Sequence, residues 1–297
     1  MLKDKIMYKH RVTLLAVLVT LSVAGVAQDD VKTIKDFVNE SDEVFFGQVA
    51  VFTNLSRSLK KEIKDGLVTA ENIKPKKIGL VTTYLFEEKF ASRKAHFLYV
   101  HSDEGIKNYF FHKMAEPLVA GVKAAFEGSE MELLSPSDFL KVPSDQDKYE
   151  KLAKKLRTSD PFSQIIRDFQ MDPSGGEFEF IYTLNKEGES GKIMDGLAEY
   201  AREQGLDAIL GIEINTKYMT KAITFNGINF TLHGINPDSK KGFLFHRYSL
   251  YADMYYPVAF IKSGKLDWQD FAGFKDLGER VGKDYINYID ESIRESL

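Results

Sequence analysis

The sequence predicts an α/β (α+β) protein: a mixed β-sheet with packed helices, a β-hairpin near the C-terminus and a helical N-terminal extension. Three observations lead there. Residues 76–86 (KKIGLVTTYLF), directly after Pro75, are rich in β-branched and aromatic residues and read as a central strand. Ile106, Phe110, Met114, Leu118, Val122 and Phe126 recur at helical spacing. Two long strand-like runs, 222–232 and 243–260, flank the polar stretch NPDSKKG at 236–242, the composition of an antiparallel hairpin.

Taken in order, the chain begins with Lys3, Lys5, Lys9 and Arg11, an apolar run over 12–21, and small residues over 22–27 that include Gly25 and Ala27. This is the pattern of a cleavable secretory signal peptide with cleavage after Ala27, and it implies a periplasmic or secreted protein. The alternative, a retained anchor, needs about 20 predominantly apolar residues. Thr13, Thr20, Ser22 and Gly25 dilute this run. Removing 27 of the 297 residues leaves 270, and with four cations and one acid gone the formal net charge moves from −4 to −7. An acidic chain lacks the cation excess through which nonspecific nucleic-acid binding works. The absence of cysteine excludes a lipid anchor on a cleavage-site cysteine, disulfides, thiol catalysis and Cys-ligated zinc.

From 31 to 73 the pattern is helical. Val31, Ile34, Phe37 and Val38 begin it, and Phe52, Leu55, Leu59, Ile63 and Leu67 continue it over 49–67, with Arg57, Lys60, Lys61 and Lys64 as a solvated face. The expected organisation is a signal peptide over 1–27, a helical extension over 28–74 and an α/β domain over 75–297 with an insertion at about 135–177. Inside that domain a strand is expected at 95–101, followed by a helix capped by Ser102 or Asp103, stopped by Gly128, and kinked or restarted at Pro117. A short strand at 131–134, helices at 145–156 and 162–169, and the turn DPSGG at 172–176 come next. Then follow a strand at 178–184, a helix over 191–204 stopped by Gly205, and a buried strand at 206–214. In the hairpin Ile223 and Phe225 are apolar at odd positions, whereas Ile228, Phe230 and Leu232 are apolar at even ones, so a bulge is expected at Gly227. A last helix at 274–293 aligns Leu277, Val281, Tyr285, Ile289 and Ile293. Gly278 and Gly282 on it read first as close packing on the sheet and second as a helix–helix contact.

This order resembles the α/β domain shared by TolB-type amino-terminal domains and the curli-secretion lipoprotein family of bacterial envelopes. The residues that carry the resemblance are the opening strand KIGLV (77–81), the helix 118–126 before MELL (131–134), and the helix, Gly-x-Asp turn and strand of AEYAREQGLDAILGIEI (198–214). YSLYAD (248–253) and SGKLDW (263–268) are similar to that family's Asp-bearing and Trp-bearing strands. The chain departs from the family in lacking a lipobox cysteine, in the length of 135–177 and in having residues 31–73. The resemblance implies a non-catalytic envelope module that binds other proteins.

No standard catalytic motif survives inspection. The stretch GESGKI at 188–193 has two residues between its glycines and an isoleucine after the lysine, where a phosphate loop needs four and a hydroxyl residue. His96 and His101 point to opposite faces of a strand. His101 with His112, aided by Asp103 or Glu104, is the candidate metal set. Asp253 with Asp267 is the candidate carboxylate pair for a glycosidase. Phe225, Phe230, Phe243, Phe245, Tyr248, Tyr251, Tyr255 and Tyr256 either fill a sheet–helix core or form an exposed strip. As a strip, the partner contact would fall to Phe225, Phe230, Tyr251, Tyr255 and Trp268. The function expected is that of an exported, non-enzymatic envelope protein, without cofactor, that binds other envelope proteins or itself. A secreted metal- or carboxylate-dependent hydrolase and a periplasmic ligand- or glycan-binding protein are the alternatives.

Overall fold

Among the described residues eight strands form one sheet. The structure, a computed structural model, describes residues 32–55, 61, 63–66, 74–88, 104–158, 181–185, 200–218, 222–235, 242–262, 265–268, 271 and 273–296. Its elements are α1 (Ile34–Val38), α2 (Asp42–Gly47), β1 (Val49–Leu55), β2 (Lys77–Glu88), α3 (Glu104–Phe126), β3 (Glu132–Leu134) and α4 (Pro136–Phe139). After them come α5 (Pro143–Thr158), β4 (Ile181–Asn185), β5 (Ala208–Tyr218), β6 (Ala222–Ile235), β7 (Gly242–Lys262), β8 (Lys265–Trp268) and α6 (Gly273–Ser296). Strand order is β1-β7-β6-β5-β2-β3, with β4 also paired to β2 and β8 to β7. β2 runs parallel to β3, β4 and β5, whereas β5, β6, β7, β1 and β8 pair antiparallel. The fold is therefore a mixed-sheet α/β architecture, as the sequence predicts.

The parallel part is joined at one carboxylate. Gly205, at φ 73°, ends the helical residues 200–203, and Asp207 follows at the head of β5. Its carboxylate accepts the N–H groups of Lys76 and Lys77 at 3.0 and 2.8 Å, while its own N–H donates to the Lys77 carbonyl at 2.9 Å. The Gly-x-Asp turn thus ties β5 to the start of β2 by satisfying otherwise unpaired backbone donors.

Helices α3 and α6 cover one face of the sheet, and glycine lets their backbones touch. A methyl group on Gly278 would lie 2.1 Å from the Leu118 carbonyl oxygen; one on Gly121 would lie 1.9 Å from that of Lys275. Gly282 faces Ala125 and Val122 of α3. This corrects the expectation that Gly278 and Gly282 pack on the sheet. The sheet side of α6 belongs to Phe274, Leu277, Val281 and Tyr285, all fully buried. Pro117 lies inside α3, which continues through residue 126 instead of restarting, giving up only the bond to the carbonyl of residue 113.

Residues 49–55 depart from the helix expected over 49–67, of which 61, 63 and 64 are described as helical. Val49–Leu55 is strand β1, paired antiparallel with β7 from Val49↔Ala252 to Leu55↔His246. The apolar spacing of three to four suits a helix, but VAVF is also β-branched and aromatic, and the tertiary partner decides. The preceding segment is short helices rather than a long one. Thr33 and Asp36 form a capping box on α1, and Ser41 caps α2. Phe37 stacks on Tyr256 at 4.3 Å and contacts Phe45 at 4.5 Å. Arg280 of α6 donates to the carbonyls of Val38 and Glu40 at 2.6 and 2.8 Å, with its guanidinium 4.1 Å from the centre of the Phe45 ring. Residues from Thr33 onward belong to one compact unit, so this segment is part of the α/β body.

The expected strand at 95–101, the cap at Ser102 or Asp103, and the helix at 162–169 lie outside the described residues. Of the expected helix at 191–204, residues 200–203 are described and helical.

Replacing Gly121 or Gly278 by alanine is expected to cost about 1–3 kcal/mol or more, because the added methyl meets backbone. Gly47→Ala, with nothing within 4 Å, is expected to be neutral or stabilising by up to about 1 kcal/mol. Urea denaturation followed by circular dichroism measures both, and a Gly121→Ala protein as stable as the parent would refute the backbone contact.

Candidate functional site

The β6–β7 hairpin has two chemically different faces, and a bulge keeps them in phase. Asn215 pairs with Gly227 and Thr216 with Phe225, so Asn226 is the extra residue. The expected break near Gly227 is therefore present. An added methyl at Gly227 would sit 2.3 Å from the Leu250 carbonyl, so β7 closes over a position that only glycine can hold.

On the helix side, Phe225, Phe230, Leu232, Tyr248, Leu250 and Tyr256 are buried. Phe225 packs edge-on to Phe274, and Phe230 edge-on to Tyr285 and stacked with Tyr248. Phe225 and Phe230 are thus core residues, which corrects their assignment to an exposed partner strip: after the bulge both strands present the same face to α6. The Tyr248 hydroxyl donates to the Asp284 carboxylate at 2.5 Å. Burial, the largest influence, raises the Asp284 carboxyl above its ordinary value, and the hydrogen bond from Tyr248 partly opposes it. His246, 1% exposed, lies 4.5 Å from the Tyr288 ring and 5.5 Å from that of Tyr285. Burial lowers its imidazole to about 4, so it is neutral at pH 7.

The opposite face is polar. Register places Gly211, Thr231 and Arg247 in one cross-strand row, Glu213, Asn229 and Ser249 in the next, and Asn215, Gly227 and Tyr251 in a third. Asn229 donates its amide N–H to Glu213. Thr231, Ser249 and Asn215 are buried, Glu213, Asn229 and Tyr251 are half-buried, and Arg247 is exposed. His233 belongs to this face, and burial together with the charge of Arg247 lowers it to about 4.

This polar face ends at β1. Ala50 pairs with Tyr251 and Asn54 with Arg247. Among the described residues no strand lies on the outer side of β1, so its outward backbone N–H and C=O groups form an edge. Val51 of β1 is 38% exposed, and Val44 of α2, the helix just before it, is 41% exposed. Val51 pairs with Leu250 and so shares the helix-side face, whereas Tyr251 and Arg247 stand on the polar face, so side chains of both faces flank the backbone groups of the β1 edge.

The other sequence-predicted candidates divide as follows. Tyr251 stands beside β1. Tyr255 and Trp268 lie on β7 and β8, with side chains outside the described set. His101 and Asp103 lie outside the described residues, and His112 falls in α3 with its side chain outside them. Among the described residues there is no group of three His, Asp or Glu placed to hold a metal ion. Asp253 and Asp267 lie on β7 and β8, with side chains outside the described set. Sequence reasoning missed the edge at β1 and the His246–Tyr285–Tyr288 group. The signal for the second was available: His246 shares strand parity with the apolar Tyr248 and Leu250.

Fold and surface together define an α/β protein whose sheet, among the described residues, ends at β1. No family model, curated protein or solved structure matches the chain.

Tyr248→Phe is expected to destabilise by roughly 1–3 kcal/mol at neutral pH, because Asp284 then keeps its burial and loses its donor. A carboxyl whose folded pKa lies above its unfolded one favours the fold when protonated, and that favour is lost as pH rises through the folded value. The deficit of the variant should therefore be large at pH 7 and shrink towards pH 4 and below. Thermal melts across that range check it, and a deficit that does not vary with pH would show that Asp284 is not the group involved.

Proposed function

We propose that this protein is an exported, non-enzymatic protein of a bacterial envelope that acts by protein–protein contact, with β1 as the element that meets the partner. The observation that carries the reading is the sheet edge. Every second residue of β1 turns its N–H and C=O away from β7, and an extended segment of another protein can add there by backbone pairing. Val51, Val44, Tyr251 and Arg247 would supply side-chain selectivity around that pairing.

Further support comes from three sources. The N-terminal charge and apolar run suit export with cleavage after Ala27. Among the described residues no helix is long and apolar enough to cross a membrane. The resemblance to TolB-type and curli-secretion domains points to the same kind of role, with fold analogy alone as its warrant. His246, Tyr248, Tyr256 and Tyr285, buried titratable groups on the helix side, pack in the core beneath α6 and α1.

Two measurements test this. The amino terminus of the protein recovered from the envelope fraction should begin at Gln28. A photo-crosslinking residue at position 51 should give a discrete adduct in intact cells that is absent with the same residue at 275 and is lost with Tyr251→Ala and Arg247→Ala combined. Recovery in the cytosol with Met1 intact refutes export, and absence of any adduct specific to position 51 refutes the edge as the contact.

A further inference from the structure

Two chemistries attach α6 to the rest of the protein, and they are segregated along its length. Its first half is held mainly by packing and by backbone carbonyls. Gly278 and Gly282 lie on the α3 backbone, Phe274, Leu277 and Val281 are buried, and Arg280 donates to the carbonyls of Val38 and Glu40, with the exposed Asp42 carboxylate also on its guanidinium. The second half depends on ionisable groups. Asp284 accepts from Tyr248, Tyr285 and Tyr288 flank His246, and Asp290 pairs with Lys74 at 2.7 Å, which itself reaches Glu130 at 3.0 Å.

We propose that α6 is a two-part helix whose second half, from Asp284 onward, is an acid-release element: docked on His246 and Tyr248 at neutral pH, and undocked from the sheet when His246 takes up a proton. The groups facing His246 make protonation costly in the docked state. From α6 these are Tyr285 and Tyr288. From its own strand comes Tyr248, two residues on and engaged with Asp284, and Leu232 of β6 and Leu55 of β1 are its register partners. Asp284 is the carboxylate bonded within this set, and Glu291 of α6 lies near enough for its charge to act on Asp284. Burial makes it take up its own proton higher in the acid range than an exposed aspartate, so it loses its charge as the imidazolium would need it. Both imidazole nitrogens lack a hydrogen-bond partner among the described residues, so the added N–H⁺ has none waiting. Attraction to the two tilted rings offsets part of this cost.

The sign follows from linkage. The imidazole is lowered to about 4 in the docked state against 6.5 when free, so acid favours undocking, beginning below pH 6.5 and complete near pH 4. The full shift corresponds to a population change of up to about 300-fold. Ile286 and Ile289 resist undocking, which keeps the element docked at neutral pH. The inference stands whether or not β1 carries a partner.

The absence of cysteine allows a clean test on the full chain. A spin label on Asn287→Cys, exposed in the second half, and one on Lys275→Cys, exposed in the first, are followed by electron paramagnetic resonance from pH 7.5 to 4. The label at 287 is expected to gain mobility between pH 6.5 and 4 while the label at 275 does not. His246→Phe is expected to abolish the transition, and His246→Gln serves if the phenylalanine variant does not fold. The proposal is overturned if both labels loosen together, if neither changes, or if the transition keeps its midpoint without His246.

Discussion

The close approach of α3 to α6 sets the position of everything on the helix side of the sheet. Ordinary side chains hold packed helices about 8–10 Å apart, and the glycine contacts at 121, 278 and 282 let this pair come nearer. Nearness has a geometric consequence. With backbone against backbone, the larger side chains of α6 can point only towards the sheet, and Phe274, Leu277, Val281 and Tyr285 do. They meet an aromatic layer built by β6 and β7, so helix spacing and sheet composition are two parts of one packing solution. Gly273 extends it: a methyl there would lie 2.5 Å from the Lys35 nitrogen, and α1 is thereby seated at the start of α6.

The same constraint explains the hairpin bulge. Without the extra residue at 226, alternation would send either Ile223 and Phe225 or Ile228, Phe230 and Leu232 to the polar face. A core on one side and a row of Glu213, Asn229 and Ser249 on the other exist together only because the strand slips by one residue at Gly227. The bulge is thus a structural requirement of a two-faced sheet, and the polar face that leads to β1 is its product.

How far the sequence reveals this depends on the range of each interaction. The bulge was legible because parity is a local property of one strand. The hairpin, the β2 strand and the length of α6 were legible for the same reason. The fate of residues 49–55 was not, since VAVFTNL satisfies a helical apolar spacing and a strand composition equally, and its partner β7 lies some 200 residues later. Gly278 and Gly282 announced a close approach without naming the surface approached; Gly121 at the matching point of α3 was the missing half. The aromatic residues show the same limit. Counting Phe and Tyr in the hairpin cannot separate a core from a contact strip, because the wall that buries Phe225 and Phe230 is built by α6, outside the strands themselves. The edge at β1 was invisible for the reason that β1 was.

These long-range pairings also bear on when the fold can close. β1 needs β7, α1 needs Gly273 and Tyr256, and α2 needs Arg280. Every tertiary partner named for the first twenty-odd described residues is supplied by the last fifty or so. A chain of this topology cannot complete its sheet while the C-terminal part is missing, and non-local pairing of this kind is slow to form. Until β7 is present β1 has no strand to pair with, and until α6 is present α1 and α2 lack the contacts of Gly273 and Arg280. That order suits the export proposed above, in which a chain threads through a membrane before it folds. It also assigns α6 a role larger than packing: the last described helix seats the first described one.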